Sequence, residues 1–70
     1  MNTAKFFQEI TVKDPDSNLP VEVDLFKHEG GGIFGIDASY LDQVATEDGD
    51  GNVLVSDPLN DGQMVTLTGI

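Results

Sequence analysis

The chain reads as a small α+β domain: a mainly antiparallel sheet of about five strands with one short helix. Three observations predict it. Apolar residues alternate with period two near both ends of the chain, one short stretch in the middle has helical spacing, and clusters of Asp, Asn, Gly and Pro separate these runs. Seventy residues make a single domain, residues 1–70, with a small interior. The chain is 39% apolar, and its eight glycines bring that to an ordinary globular level of about half, so a folded core is expected.

The first strand runs from Lys5 to Lys13, with Phe6, Gln8, Ile10 and Val12 on one face and Phe7, Glu9, Thr11 and Lys13 on the other. Asp14-Pro15-Asp16-Ser17-Asn18 is a turn, because proline pre-sets its φ and the short polar side chains bond nearby backbone groups. Val21, Val23 and Leu25 then alternate with Glu22, Asp24 and Phe26 in a second strand, and the short connection makes an antiparallel hairpin. Pro20 sits at its start, where a missing N–H does least damage.

Gly30-Gly31-Gly32 breaks the pattern before a short third strand, Ile33–Ile36. Ala38, Leu41, Val44 and Ala45 have helical spacing, so a helix is expected over about 38–46. Asp37 and Ser39 both suit its N-cap, and Ser39 with Asp42 forms a variant capping box. A loop, Glu47–Asn52, precedes a strand at Val53–Val55; a turn cluster, Asp57–Gly62, precedes the last strand, Met64–Thr68, with Val65 and Leu67 on its inner side. The order is β-β-β-α-β-β, and a β-grasp-like sheet and a half-open barrel both accommodate it.

Charge is the strongest functional signal. Thirteen acids face three lysines and no arginine, for a net charge of −10. Lys5, Lys13 and Lys27 all lie in residues 1–28, whereas residues 29–70 hold eight acids and no cation. Such a field repels nucleic acid and anionic membranes and attracts basic surfaces. The expected partner is therefore a basic protein surface, contacted by Glu29, Asp37, Asp42, Glu47, Asp48, Asp50, Asp57 and Asp61. Simple solubility and adaptation to high salt account for acidity as well. In length and charge the chain is similar to the small acidic inhibitors of phages and mobile elements, including those that imitate DNA; no motif ties it to a named family. That similarity implies a nucleic-acid-mimicking inhibitor of a nucleic-acid-binding protein.

Two further surfaces are candidates. Phe7 and Phe26, on the sheet face opposite the aliphatic stripe, suit an apolar contact of a structural or accessory homodimer. Asp48, Asp50 and Asn52 resemble the front of an EF-hand calcium loop, with oxygen ligands at positions 1, 3 and 5. Position 6 of that loop is Val53 instead of glycine, and position 12 is Leu59 instead of glutamate.

Catalysis is not expected. The chain has no cysteine and one histidine, His28, which is read as a solvated strand end. Gly30–Gly32 lacks the spacing and the lysine of a phosphate loop. No cofactor is implied. No targeting segment or membrane span is legible, so a cytoplasmic protein is expected.

Overall fold

In the computed structural model, which describes residues 2–60 and 62–70, the chain forms strands β1 (Thr3–Lys13), β2 (Pro20–His28) and β3 (Ile33–Asp37), helix α1 (Ala38–Val44), and strands β4 (Thr46–Glu47), β5 (Val53–Ser56) and β6 (Met64–Thr68). The six strands make one sheet in the order β3-β2-β1-β6-β5-β4. Neighbours pair antiparallel except β1 and β6, which run parallel through Thr3↔Thr66, Ala4↔Leu67 and Lys5↔Thr68. The sheet is therefore mixed, because the first and last strands meet at its centre. It is also curled: β3 and β5, four places apart in the order, line one cavity, and the Gly32 backbone packs against Leu59 of the β5–β6 loop. Of the two expected arrangements the result is a half-barrel, with six strands where about five are expected.

The extra strand, β4, forms where the sequence suggests the helix end and a loop. The helix stops at Val44, and Ala45 takes extended geometry with ψ 137° while its N–H still bonds Leu41. β-Branched Val44 and Thr46 propagate a helix poorly and suit a strand. At the other end Asp37, not Ser39, is the N-cap: its Oδ1 accepts from the Ser39 N–H at 2.9 Å, the Tyr40 N–H at 3.4 Å and the Ser39 hydroxyl at 2.7 Å.

One extra residue decides which side chains are buried. The β1–β2 register shifts between Phe6 and Gln8, so Phe7 is a β-bulge. Phe6 stands opposite Phe26, but beyond the bulge Ile10 stands opposite Val23 and Val12 opposite Val21. The bulge moves Gln8, Ile10 and Val12 to the face opposite Phe6, splitting the stripe that strict alternation would keep together. Ala4 and Phe6 thus face inward with Phe26, Phe34 and Ile36, while Ile10, Val12, Val21, Val23 and Leu25 face outward.

The sequence-based assignment of β2 is inverted as a result. Phe26 is not an exposed contact residue; it is 0% exposed and sits at the centre of the core. Its ring meets Phe6 edge-on at 5.9 Å and stacks on Phe34 at 5.6 Å. Three aromatic rings on one face bury more area than the aliphatic stripe on the other, and the geometry of the aromatic pairs adds to that gain. Ala4, Leu41, Val55, Val65 and Leu67 complete the buried set, with Val65 and Leu67 inward as expected.

Candidate functional site

Helix α1 crosses the open side of the half-barrel with Leu41 pinned into the core, and a groove runs along each flank. On one flank lies a cleft of about 470 Å³ between β3, α1 and the β5–β6 loop. Ile36, Val44 and Val55 give it an apolar floor; Tyr40, Pro58 and Met64 form its rim, and Asp37 and Ser56 supply polar groups. Tyr40 and Met64 are 55% and 47% exposed, so the rim presents apolar surface to solvent. The other groove is lined by Leu41, Ala45, Val53 and Ile70, with Asp42 and Glu47 at its edge.

The fold therefore gathers part of the expected acidic set around α1. Asp37 borders one groove, Asp42 and Glu47 border the other, and Asp48 and Asp50 follow in the exposed β4–β5 loop. Asp42, Glu47 and Asp50 are exposed carboxylates. Asp37 and Asp48 are already engaged. Asp37 lies below its ordinary range because the Ser39 hydroxyl and N–H bond to it. Asp48 is lowered by the Asn52 side chain, then by the Asn52 and Asp50 N–H groups, at 2.8–3.0 Å.

That use of Asp48 gives the Asp48–Asn52 loop a structural explanation: the carboxylate ties the loop's own backbone, as Asp does in turns generally. Among the described residues no group of three or more His, Asp or Glu side chains is arranged to hold a metal ion.

Glu29 stands apart, at the β2–β3 turn, where its carboxylate accepts from the Thr3 N–H at 2.9 Å. Asp37 lies at the far end of β3, opposite Val23. Asp61 falls outside the described residues. Asp57 is a correction: it is 1% exposed and offers no carboxylate to a partner. Its Oδ2 accepts from Asn2 Nδ2 at 3.0 Å, Asn60 Nδ2 at 3.0 Å and His28 Nε2 at 2.9 Å, and its Oδ1 accepts from the Leu59 N–H at 2.9 Å. Burial pushes its pKa up, but the bonds from Asn2, Asn60, Leu59 and His28 outweigh that and hold the carboxyl well below the usual range.

His28 is likewise not a solvated strand end, since its side chain is 8% exposed. Its Nδ1 accepts from the Gly30 N–H at 3.1 Å, so in the neutral ring Nε2 carries the proton and donates to Asp57. Both ring nitrogens are occupied by the protein itself. The His28–Asp57 pair fastens the end of β2, the N-terminal segment through Asn2, and the β5–β6 loop to one another. Sequence reasoning had no route to it, because residues 2, 28, 57 and 60 show no spacing signal.

A second feature also goes unmarked by the sequence pattern. Glu9 and Asp24 are cross-strand partners on the inner face, with Glu22 nearby. Hydrogen bonding to Asp24, then the charge of Glu22, pushes the Glu9 carboxyl up. Like charges in register destabilise a sheet.

Among the described residues no helix is long and apolar enough to cross a membrane. Comparison with known proteins finds no matching family, no matching curated protein and no matching solved structure.

Proposed function

We propose that the chain is a non-enzymatic binding protein that docks on a basic protein surface through α1 and its two flanking grooves. The observation that carries this reading is the pairing of exposed apolar rim with uncompensated charge. Tyr40 and Met64 border a cleft able to take a partner's apolar side chain, while Asp37, Asp42 and Glu47 border the grooves beside the helix, Asp50 follows in the exposed β4–β5 loop, and no lysine or arginine occurs after residue 28. Among the described residues no carboxylate is paired with a lysine, and the His28–Asp57 contact is a hydrogen bond in the interior. Asp42, Glu47 and Asp50, all exposed, are therefore available to a partner's lysines and arginines, while Asp37 adds its charge from the helix N-cap. Charge steers the encounter and rejects anionic competitors, and the cleft supplies the contact that holds the complex.

The finer reading is an inhibitor, acting in the cytoplasm, that occupies the nucleic-acid site of its target. It rests on the same acidity and the same small size. The test is capture of the partner at about 50 mM and about 400 mM salt, where the Debye length falls from about 14 to about 5 Å. Binding is expected at the lower salt and release at the higher. Charge reversal at Asp42→Lys with Glu47→Lys, both exposed, is expected to abolish capture, and duplex DNA is expected to compete if the target is a nucleic-acid-binding protein. Capture that survives both the salt and the reversal refutes the docking mechanism.

A further inference from the structure

We infer that the outward face of the β1–β2 hairpin, on the side of the sheet opposite α1, is a contact between two copies of this chain related by a two-fold axis. The face is apolar and uncovered. Ile10, Val12, Val23 and Leu25 project from it, flanked by Phe7 and Ile33, and Phe7, Val12 and Ile33 are 39%, 42% and 53% exposed. Gly35 keeps the face flat at β3, since a Cβ there would lie 2.7 Å from Val23 Cγ1 and 3.1 Å from Leu25 Cδ2. Leu41 of the helix packs on the inner face, so α1 does not cover this one.

The charge at the two ends of the hairpin selects a second copy as the occupant. At one end Lys5 and Lys27 are cross-strand neighbours on the outward face, with the Lys27 ammonium held 5.0 Å over the Phe7 ring, and they outnumber Glu29. At the other end lies the Asp14–Leu19 turn, where Asp14 and Asp16 outnumber Lys13, whose register position is on the inner face. A two-fold axis through the middle of the hairpin turns the strands antiparallel and sets the lysine end of each copy against the aspartate end of the other. Self-complementarity of this kind is what a two-fold contact requires. Of the carboxylates around α1, Asp42 and Glu47 border the groove beside Leu41, on the helix side of the sheet, and Asp37, whose register position opposite Val23 is on the hairpin's face, is engaged as the helix N-cap.

The contact is small. Six residues along β1 cover about 20 Å, and three strands are about 14 Å wide, so two copies bury on the order of 600 Å² in total. That is below the size of a standard specific interface, and the dimer is expected to be weak, with Kd of about 100–1,000 μM.

Sedimentation of the full chain between about 1 and 500 μM tests this, and the expected result is a monomer–dimer equilibrium in that window. Val12→Glu, at an exposed position, is expected to weaken it at least tenfold. Lys27→Glu is expected to weaken it, and Lys27→Glu combined with Asp16→Lys to restore it, a rescue that a general loss of folding does not produce. A chain that stays monomeric throughout, a dimer indifferent to Val12→Glu, or a charge swap without rescue overturns the inference. Val12→Glu leaves the α1 surface intact, so salt-sensitive capture of a basic partner reports on the proposed function independently.

Discussion

Replacing Phe26 tests whether the aromatic face of β2 is the core. Phe26 is fully buried between Phe6 and Phe34, whereas Val21 on the same strand faces outward and is half-buried. Phe→Ala at a core site costs about 3–5 kcal/mol, which equals the whole stability expected of a domain this size, so Phe26→Ala should be largely unfolded. Phe26→Leu keeps most of the volume and loses the ring contacts, at about 1–2 kcal/mol. With an unfolding entropy of about 2.1 cal/mol/K per residue over 70 residues, that is a fall in Tm of about 7–14 °C. Val21→Thr, which keeps the β-branched shape, should cost no more than about 1 kcal/mol. Thermal unfolding followed by circular dichroism at about 5 μM, below the concentrations at which dimerisation contributes, measures all three. If Val21→Thr proves as damaging as Phe26→Leu, the bulge at Phe7 is misplaced and the aliphatic stripe is the core.

The remaining predictions concern acids and one glycine. Asp37, Asp48 and Asp57 have lowered carboxyl pKa values, so their stabilisation is complete above the ordinary aspartate value of 3.8 and is lost as pH falls through and below it. Asp57→Asn should lower Tm at pH 7 and flatten the decline between pH 5 and 2; an unchanged acid limb refutes the role given to Asp57. Glu9 has the opposite sign: its pKa is raised above 4.5, so its ionised form opposes folding above that value. Glu9→Gln should raise Tm at pH 7 and leave it nearly unchanged at pH 4, and an equal gain at both would assign the effect to something other than charge. Gly35→Ala should destabilise by about 1–3 kcal/mol in denaturant melts, since the new methyl falls 2.7 Å from Val23 Cγ1; a neutral result means that Val23 and Leu25 shift freely.

The elements were legible in the sequence and their facing was not. Five of the six strands and the helix follow from period, composition and turn chemistry, all local properties. The facing of β1 and β2 depends on Phe7 being a bulge, and nothing in Lys5–Lys13 marks it, because regular alternation there is a complete pattern by itself. The error then carries to Phe26, whose burial is decided by Phe34 on β3 and Phe6 on β1. The parallel pairing of β1 with β6 joins residues more than 60 apart and leaves no periodic trace. For the site, the charge asymmetry singled out Asp42, Glu47 and Asp50, which remain exposed, but charge alone does not distinguish them from Asp57, whose partners Asn2, His28 and Asn60 converge only in the fold.

The central claim is that the carboxylates and apolar rim around α1 form one binding surface. A titration of the ¹⁵N-labelled chain with a lysine-rich peptide carrying a single leucine, followed by amide shifts at about 50 and about 400 mM salt, addresses it most directly. The expected shifts concentrate at Asp37, Tyr40, Asp42, Val44 and Glu47, with affinity at least tenfold weaker at the higher salt. Shifts spread evenly over the molecule, or centred on Glu9, Glu22 and Asp24, would contradict it.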